Sequence, residues 1–250
     1  MIQYTKSSVR IAEMHFDELP EASLATDVIR YQWRFEKVPG TLSFPCQTRF
    51  LDLEEDPDKL LGGMKASTRS QVRRGYKESI AVDFAANPTV AMAEEFYTFY
   101  DEFAQAKHLP PANRARLGSM RSTGHLVLSS VRNAEGRALV WHCYLRHRGW
   151  ARQVHSVSVY RLNPDKDEDR LVSVSNRHLQ WRDMLALREA GVATYDFGGW
   201  YGGSDDTAKL RINEFKESFG GRVVDLHNTY DGVTAKGVLA VHLHKWRGGE

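Results

Sequence analysis

The chain has 250 residues, of which 42% are hydrophobic and 26% charged, proportions that exclude a disordered, collagen-like or coiled-coil protein. At this length a chain can bury a sizeable core without disulfide or metal cross-links. Lys and Arg number 34 against 32 Asp and Glu, which gives a net charge of +2. This balance excludes a strongly basic nucleic-acid-binding surface over the whole chain, so any anion-binding surface must be local.

The first half of the chain is expected to contain a strand followed by two helices. Residues 48–53 alternate between polar and apolar and end at an acidic, proline-containing turn, which predicts a strand. A helix is expected over about 57–79, because Pro57 suits a first turn and apolar residues recur at helical spacing. A second helix follows Pro88 and ends before the prolines at 110–111.

The second half changes to a hydrophobic period of two. Segments 125–131, 137–147 and 150–160 predict three strands joined by short turns, which together form an antiparallel meander. A helix over about 171–190 is expected to end at Gly191 and to lead into a short strand at 193–197. A helix around 206–218 and a last strand over 222–230 complete the order.

This order of elements predicts the fold class. A meander followed by crossover helices requires a mixed sheet with helices on its faces, in an α/β or α+β fold. A Rossmann fold and a TIM barrel are excluded, since their strands and helices would alternate from the start.

The glycine-rich stretch 198–203 carries two aromatic side chains, Trp200 and Tyr201. It matches neither the dinucleotide-binding fingerprint nor the P-loop. Two interpretations remain open. The stretch is either a mobile turn with exposed aromatic residues or a substrate-binding loop, since such side chains are costly to expose without a partner.

Basic residues line one side of the first predicted helix. Arg69, Arg73 and Lys77 are spaced four residues apart and therefore share a face. The face is either solvated or an anion site for phosphate or pyrophosphate, which guanidinium groups bind well.

Motifs of other catalytic classes are missing from the sequence. There is no Gly-x-Ser-x-Gly elbow, and Cys143 lies in mid-strand, where a cysteine more often fills the core. No spacing of His, Cys or carboxylate residues predicts a metal site. His142 and His155 lie on adjacent predicted strands, where they are either structural or face a common cleft. Asp205 and Asp206 are typical of a helix N-cap.

Cysteine usage and hydropathy bear on location. Cys46 and Cys143 form neither a zinc spacing nor a disulfide framework. The N-terminal residues contain no apolar run typical of a signal peptide, and no stretch is long enough to span a membrane. We therefore expect a cytoplasmic protein.

Three motifs in the last third of the chain resemble the FemABX-like transferases of the GNAT superfamily. They are Leu-Gln-Trp at 179–181, Tyr-Asp-Phe-Gly-Gly at 195–199 and Glu-Phe-Lys-Glu-Ser-Phe-Gly-Gly at 214–221. The basic helix also looks like the arginine-bearing helix of that family, and the order of elements agrees with a GNAT core. The resemblance covers most of residues 50–230.

The resemblance implies a GNAT-like mixed sheet in one domain over 1–250. An N-terminal extension over about 1–85 would precede an acyltransferase core over about 86–235. It also implies acyl transfer to an amine, with no metal or bound cofactor. The best-known members move an amino acid from aminoacyl-tRNA to a peptidoglycan precursor, and others use acyl-CoA. The chain is shorter than members with two GNAT-like halves, so a small natural-product amine is an equally suitable acceptor.

One segment favours aminoacyl-tRNA as the donor. CoA-dependent GNAT enzymes hold the pyrophosphate with a glycine-containing loop between the meander and the next helix. The corresponding residues 161–170 contain no glycine and include four acids, Asp165, Asp167, Glu168 and Asp169. Acyl-CoA is the alternative donor, and a non-catalytic phosphate- or RNA-binding module is the second alternative.

The resemblance also implies roles for individual residues. Lys216 would stabilise the oxyanion formed during acyl transfer, and Asp196 would accept the amine proton or orient the acceptor. The alternatives are a surface lysine and a buried carboxylate bonded to backbone. Arg69 and Arg73 would hold phosphates. Further substrate contacts are expected from Phe215, Trp200, Tyr201, Trp181 and His155, with core packing as the alternative for Trp181.

Overall fold

The computed structural model describes residues 1–20, 24–159 and 166–246, the last range without the side chains of residues 166 and 167. The strands within these ranges are β1 (Ile2–Lys6), β2 (Val9–His15), β3 (Val28–Arg34), β4 (Leu42–Asp52), β5 (Asp83–Ala85), β6 (Leu126–Arg132), β7 (Ala138–His147), β8 (Trp150–Ser158), β9 (Thr194–Trp200) and β10 (Arg222–Gly232). The helices are α1 (Pro57–Gly63), α2 (Ala66–Lys77), α3 (Val90–Ala106), α4 (Arg114–Ser122), α5 (Lys166–Glu189), α6 (Thr207–Glu217) and α7 (Ala235–Trp246).

The chain forms two compact units that interleave along the sequence. The first unit consists of Met1–Thr48, Asn113–Thr123 and Val223–Glu250. The second consists of Arg49–Ala112 and Gly124–Arg222. The expectation of one domain with an N-terminal extension stays a prediction.

The first unit has the strand order β1-β2-β3-β10, in which only β2 and β3 run parallel. One face of these strands buries the apolar side chains of Ala12, Met14, Ile29 and Tyr31. The carboxylate of Glu13 is buried on the other face of β2 and accepts hydrogen bonds from the Tyr4 hydroxyl and Arg116 Nε, each at 2.8 Å. Although burial by itself would raise it, the Arg116 guanidinium holds the pKa of Glu13 well below its usual range.

The second unit has the strand order β9-β8-β7-β6-β5, with the β8–β9 pair parallel and the rest antiparallel. Helix α2 packs on α5. Together with α1 and α6 these helices cover a core that includes Leu60, Val72, Tyr144, Met184 and Phe219. The predicted mixed sheet, with an antiparallel meander and crossover helices, is therefore confirmed.

In the second half of the chain the predicted elements agree with the observed ones to within a few residues, except that α5 is described from Lys166 rather than from about 171 and that no element was predicted over α7. Gly191 follows α5 with φ of +80°, as expected of a residue that ends a helix. The helix predicted over 57–79 is wrong in one respect, because it is two helices. Met64 and Lys65 between them are extended, with ψ of 150° and 142°. Lys65 N–H donates a hydrogen bond to Ser218 O at 2.9 Å instead of to a carbonyl of α1.

Strands β1 to β3 lie in a segment for which the sequence predicted no element. In β2 the residues from Ile11 to His15 are all buried, including the polar side chains of Glu13 and His15. A strand that is buried on both faces lacks the alternation on which strand prediction depends.

No described helix is both long enough and apolar enough to cross a membrane.

The second of the two glycines after α6, Gly221, is required by a close backbone contact. Gly221 has φ of +77°, and a Cβ atom added to it would lie 2.1 Å from Phe50 O in β4. Gly136, in the turn between β6 and β7, has a similar φ of +81° with nothing within 4 Å of an added Cβ. Substitutions at Gly221 and Gly136 therefore distinguish the effect of a steric clash from that of backbone strain alone.

We expect Gly136→Ala to lower the free energy of unfolding by about 1 kcal/mol, which is the cost of a left-handed alanine. Gly221→Ala adds the clash with Phe50 O and is expected to cost about 3 kcal/mol or more. Urea unfolding followed by tryptophan fluorescence measures both losses. Equal losses would contradict the close approach of the chain after α6 to β4.

Candidate functional site

The parallel strands β8 and β9 part after their first three residues. Among the described residues their pairing stops at Arg152 and Asp196, although β8 continues to Ser158 and β9 to Trp200. Gly198 has φ of +78°, and a Cβ atom there would lie 2.7 Å from Gln153 O. Glycine is needed at this point because the backbone has a positive φ and lies directly against β8. The next residue, Gly199, is exposed.

A buried ion pair lies where the two strands part. Arg152 Nη1 is 2.5 Å from Asp196 Oδ2, and Asp196 Oδ1 accepts a hydrogen bond from Gly198 N–H at 2.8 Å. Asp196 is fully buried. Each oxygen thus has a hydrogen-bond partner, as in the alternative of a buried, backbone-bonded carboxylate. That Asp196 accepts the amine proton or orients the acceptor stays a prediction.

Lys216 extends from α6 to the same place. Its half-buried ammonium donates a hydrogen bond to Gly199 O, the only acceptor it has among the described residues. Burial, helped by the positive charge of Arg152 and opposed by Asp196, lowers the pKa of Lys216 to about 8. The group is thus not a solvated surface lysine. It is a partly desolvated cation with N–H groups available to a ligand.

The glycine-rich stretch is tied to α6. Asn213 of α6 accepts a hydrogen bond from Tyr201 N–H at 3.1 Å and donates one to Tyr201 O at 2.7 Å. Asp206 caps the helix by accepting from the N–H groups of Ala208 and Lys209, as expected of an N-cap residue. These bonds argue against the mobile-turn interpretation. The half-buried side chains of Trp200 and Tyr201 are held beside Gly199.

Arg49 of β4 connects this loop to the end of α6. Its guanidinium donates to Gly220 O at 2.6 Å and Gly221 O at 2.9 Å, and its Cζ lies 5.2 Å from the Trp200 ring centroid. Burial lowers the pKa of Arg49. Sequence reasoning missed this residue, because an arginine in a strand of alternating polar and apolar residues gives no signal of its partners.

A buried polar network lies between α5 and strands β7 to β9. The Tyr195 hydroxyl donates to the Tyr144 hydroxyl at 3.1 Å, which donates to Asp183 Oδ2 at 2.6 Å. His142 Nδ1 is 2.8 Å from the same carboxylate oxygen. Burial is the main cause that raises the pKa of both tyrosines well above the usual value, so both remain donors. Gln180, the middle residue of Leu-Gln-Trp, donates to Tyr195.

The expectation that His142 and His155 face a common cleft is wrong. His155 pairs with Cys143 across the β7–β8 ladder, whereas His142 pairs with Ser156. Because successive strand residues alternate between faces, the two histidines lie on opposite sides of the sheet. His155 packs against α3, with its ring centroid 4.5 Å from that of Tyr100.

The basic residues of α2 have different surroundings. Arg69 Nη1 donates to Gly62 O at 2.9 Å and Met64 O at 3.0 Å, so this side chain caps the end of α1. Arg73 is exposed and has no partner among the described residues. Both line an open cavity of about 610 Å³, together with Asp58, Leu61 and Gly62. Arg73 is therefore the better candidate for phosphate binding.

Two further aromatic residues have clear positions. Trp181 is only 4% exposed and belongs to the core, where its Nε1 donates to the Tyr76 hydroxyl at 3.1 Å. The core alternative for Trp181 is the one that the structure supports. Phe215 is partly buried against Phe219, and Arg177 Cζ lies 5.1 Å from its ring centroid.

The acidic segment at 161–170 is only partly described. Residues 161–165 and the side chains of 166 and 167 lie outside the described residues, so Asp165 and Asp167 are not placed. Glu168 and Asp169 lie in the first turns of α5. Over the described ranges, no group of three His, Cys, Asp or Glu residues is arranged to hold a metal ion.

Comparison with solved structures finds the same fold in FemX, with a TM-score of 0.59 and 14% identity over 78% of this chain and 63% of that chain. The C-terminal domain of a putative lysylphosphatidylglycerol synthetase from Agrobacterium fabrum matches with a TM-score of 0.51 and 14% identity. That match covers 84% of this chain and 68% of the other. No protein-family model and no curated protein sequence matches the chain.

The chain therefore shares the fold of FemX, a member of the group that its motifs resemble. It spans less than two thirds of the length of FemX.

We expect Asp196→Asn to lower the pKa of Lys216 further below its value of about 8, because the carboxylate is the neighbour that favours the charged ammonium. An asparagine retains an acceptor for Gly198 N–H. NMR titration of the reductively methylated lysines, with Lys216→Arg to assign the signal, measures the change. Asp205→Asn, on the exposed loop, is the control. An unchanged or raised pKa in Asp196→Asn would show that Asp196 does not act on Lys216.

Proposed function

We propose that the chain is an N-acyltransferase that forms an amide bond, moving an aminoacyl group from aminoacyl-tRNA to an amine acceptor. The observation that supports this most directly is the ammonium of Lys216. It is half-buried, has a lowered pKa, and lies near the point where β8 and β9 part. It is also the lysine of the Phe-Lys motif on which the resemblance to FemABX-like transferases depends.

The proposed reaction requires stabilisation of one developing charge. The neutral amine of the acceptor attacks the ester carbonyl carbon, a C–N bond forms, and the carbonyl electrons move to oxygen. The ester C–O bond then breaks, and the leaving ribose oxygen takes up a proton equivalent to the one that the amine loses. A positive donor held near the oxyanion stabilises the transition state by about 3–4 kcal/mol. Lys216 is positioned for this role.

The electrostatic setting of Lys216 suits that role. Removing an ammonium from water raises the free energy of its charged form, and this is the main reason for its lowered pKa. A negative charge that develops nearby recovers part of this cost, and it does so more strongly in a partly desolvated site than in water. Asp196 contributes by fixing the strand end that carries Gly199.

Substrate contacts are proposed from residues of the second unit. Aromatic faces next to α6 come from Trp200, Tyr201 and Phe215. Arg73 offers an unpaired guanidinium for phosphate, and Arg69 would contribute to phosphate binding in addition to capping α1. His155 stays a predicted substrate contact, on the face of the sheet that α3 covers. The acceptor is an amine of a peptidoglycan-precursor-like peptide or of a small molecule.

We expect Lys216→Met to reduce kcat by a factor of about 10² to 10³, because the variant loses the oxyanion donor. The fold should be retained, because methionine has a side chain of similar length. Turnover is measured with aminoacyl-tRNA and a panel of amines, and folding by circular dichroism. Arg211→Ala removes a positive charge from an exposed position of the same helix and is the control.

The pH profile distinguishes the proposed role from general-base catalysis. Because the acting form is the ammonium, kcat is expected to fall as the pH rises through about 8. Lys216→Arg retains a positive charge, so its residual activity should not fall in that range. A rate that rises through pH 8, or wild-type activity in Lys216→Met, would contradict the role of Lys216 as an oxyanion donor.

The donor is identified by thermal unfolding in the presence of aminoacyl-tRNA, uncharged tRNA or acetyl-CoA. A ligand at 100 times its Kd adds about 2.7 kcal/mol of stability. We expect stabilisation by aminoacyl-tRNA that weakens with added salt and is reduced in Arg73→Ala, with Arg211→Ala as the control for loss of one charge. Stabilisation by acetyl-CoA alone would make acyl-CoA the donor. Salt-sensitive binding of tRNA without turnover would identify a non-catalytic module.

A further inference from the structure

The first unit contains a cavity of about 320 Å³, which we call the α7 cavity. It lies between α7 and the face of β2 and β3 opposite the cluster that contains Met14 and Tyr31. Its apolar wall is formed mainly by Val9, Ile11, Val28 and Val241. The volume lies at the lower end of the range found for pockets that bind small molecules.

The position of α7 keeps this cavity open. The N-terminal end of α7 is fixed to β3, since Lys236 Nζ lies 3.0 Å from Asp27 Oδ2 and the Thr234 hydroxyl donates to Asp27 Oδ1 at 3.1 Å. A Cβ atom on Gly237 would overlap Asp27 O, so the backbones touch there. The cavity lies beside the other half of the helix, at Ala240 to His244.

The charged groups on the α7 cavity are both basic. Lys6 and Arg30 line it together with His244, whose pKa is lowered by burial, and none of its described lining residues is acidic. The nearest carboxylate to Arg30 is that of Glu13, 3.6 Å from Nη1, and it is shared with Arg116 at 2.8 Å. The positive charge of Arg30 is thus only partly compensated, and the cavity favours an anion.

Two buried nitrogen atoms at the cavity lack hydrogen-bond partners. Arg30 Nε and His244 Nε2 are both inaccessible to solvent and unpaired among the described residues. Both side chains are held on Tyr230, whose ring centroid is 4.8 Å from Arg30 Cζ and 5.3 Å from the His244 ring. Unpaired buried polar atoms are rare in folded proteins and destabilise them. The Arg30 side chain as a whole is 22% exposed, so an oxygen-bearing anionic group in the cavity would supply an acceptor to its guanidinium.

We propose that the α7 cavity binds a single-chain amphiphile with one anionic head group. The head group, a carboxylate or a phosphate ester, interacts with Arg30, His244 and Lys6, while the hydrocarbon chain packs on the valine and isoleucine side chains of the wall. An inorganic anion would leave that wall without a partner, and a neutral lipid would leave the basic groups without one. This site lies in the first unit and does not depend on the proposed acyl transfer.

The test is isothermal titration calorimetry, in which the full chain is titrated with sodium decanoate below the micellar concentration of decanoate. We expect saturable binding of one molecule per chain. Decanol, with the same chain and no charge, should bind about tenfold more weakly or worse, which is the loss of one charge-assisted hydrogen bond. Inorganic phosphate should not compete. Decyl phosphate distinguishes the two head groups, since the tighter of the two ligands identifies the class.

Three variants locate the binding site. Ala240→Phe fills the cavity from α7 and should abolish binding, whereas Leu239→Ala, on the exposed side of the same helix, should leave it unchanged. Lys6→Gln alters an exposed side chain at the cavity, so it tests the charge without risk to the fold, and should weaken decanoate but not decanol. The proposal is overturned by equal binding of decanol and decanoate, by absence of saturable binding, or by wild-type affinity in both Ala240→Phe and Lys6→Gln.

Discussion

The ion pair between Arg152 and Asp196 is the interaction on which the candidate site depends. Its two residues are the last ones paired in the parallel β8–β9 ladder. Asp196 is buried there, so leaving its charge without a partner would destabilise the fold. Removing one member of such a pair typically costs 3–5 kcal/mol. The pair also fixes Gly198, and it acts on the ammonium of Lys216 with two opposing charges. One buried contact thus sets both the geometry and the charge of the site.

Close backbone contacts complete the arrangement around that pair. Gly198 and Gly221 have positive φ angles, and each leaves room for a neighbouring carbonyl that a Cβ atom would displace. Arg49 then bonds the carbonyls that follow α6 and lies over Trp200. These two glycines therefore have a structural purpose, since they allow the chain on either side of α6 to lie close to β8 and β4. Lys216 of α6 donates to Gly199 O in this arrangement.

Each unit uses arginine to hold a buried carboxylate, with different consequences. In the first unit Glu13 binds Arg116 and Tyr4, and the remaining cation, Arg30, retains an unpaired nitrogen at the α7 cavity. In the second unit both oxygens of Asp196 are bonded, and the group left partly unsatisfied is Lys216. In both cases an incompletely paired cation is what makes the neighbouring space suited to a ligand with negative charge.

The sequence by itself determined the meander, α5, α6 and the neighbourhood of Lys216 and Asp196, because period-two and helical patterns are local and the motifs are contiguous. Only the tertiary structure decided which groups those residues meet. The break at Met64 depends on Ser218, and the opposite faces of His142 and His155 depend on strand register. The burial of Asp196, the lowered pKa of Lys216 and the role of Arg49 arise from contacts between segments far apart in the chain. Such contacts leave no periodic signal in the sequence, because burial and pairing depend on the whole fold.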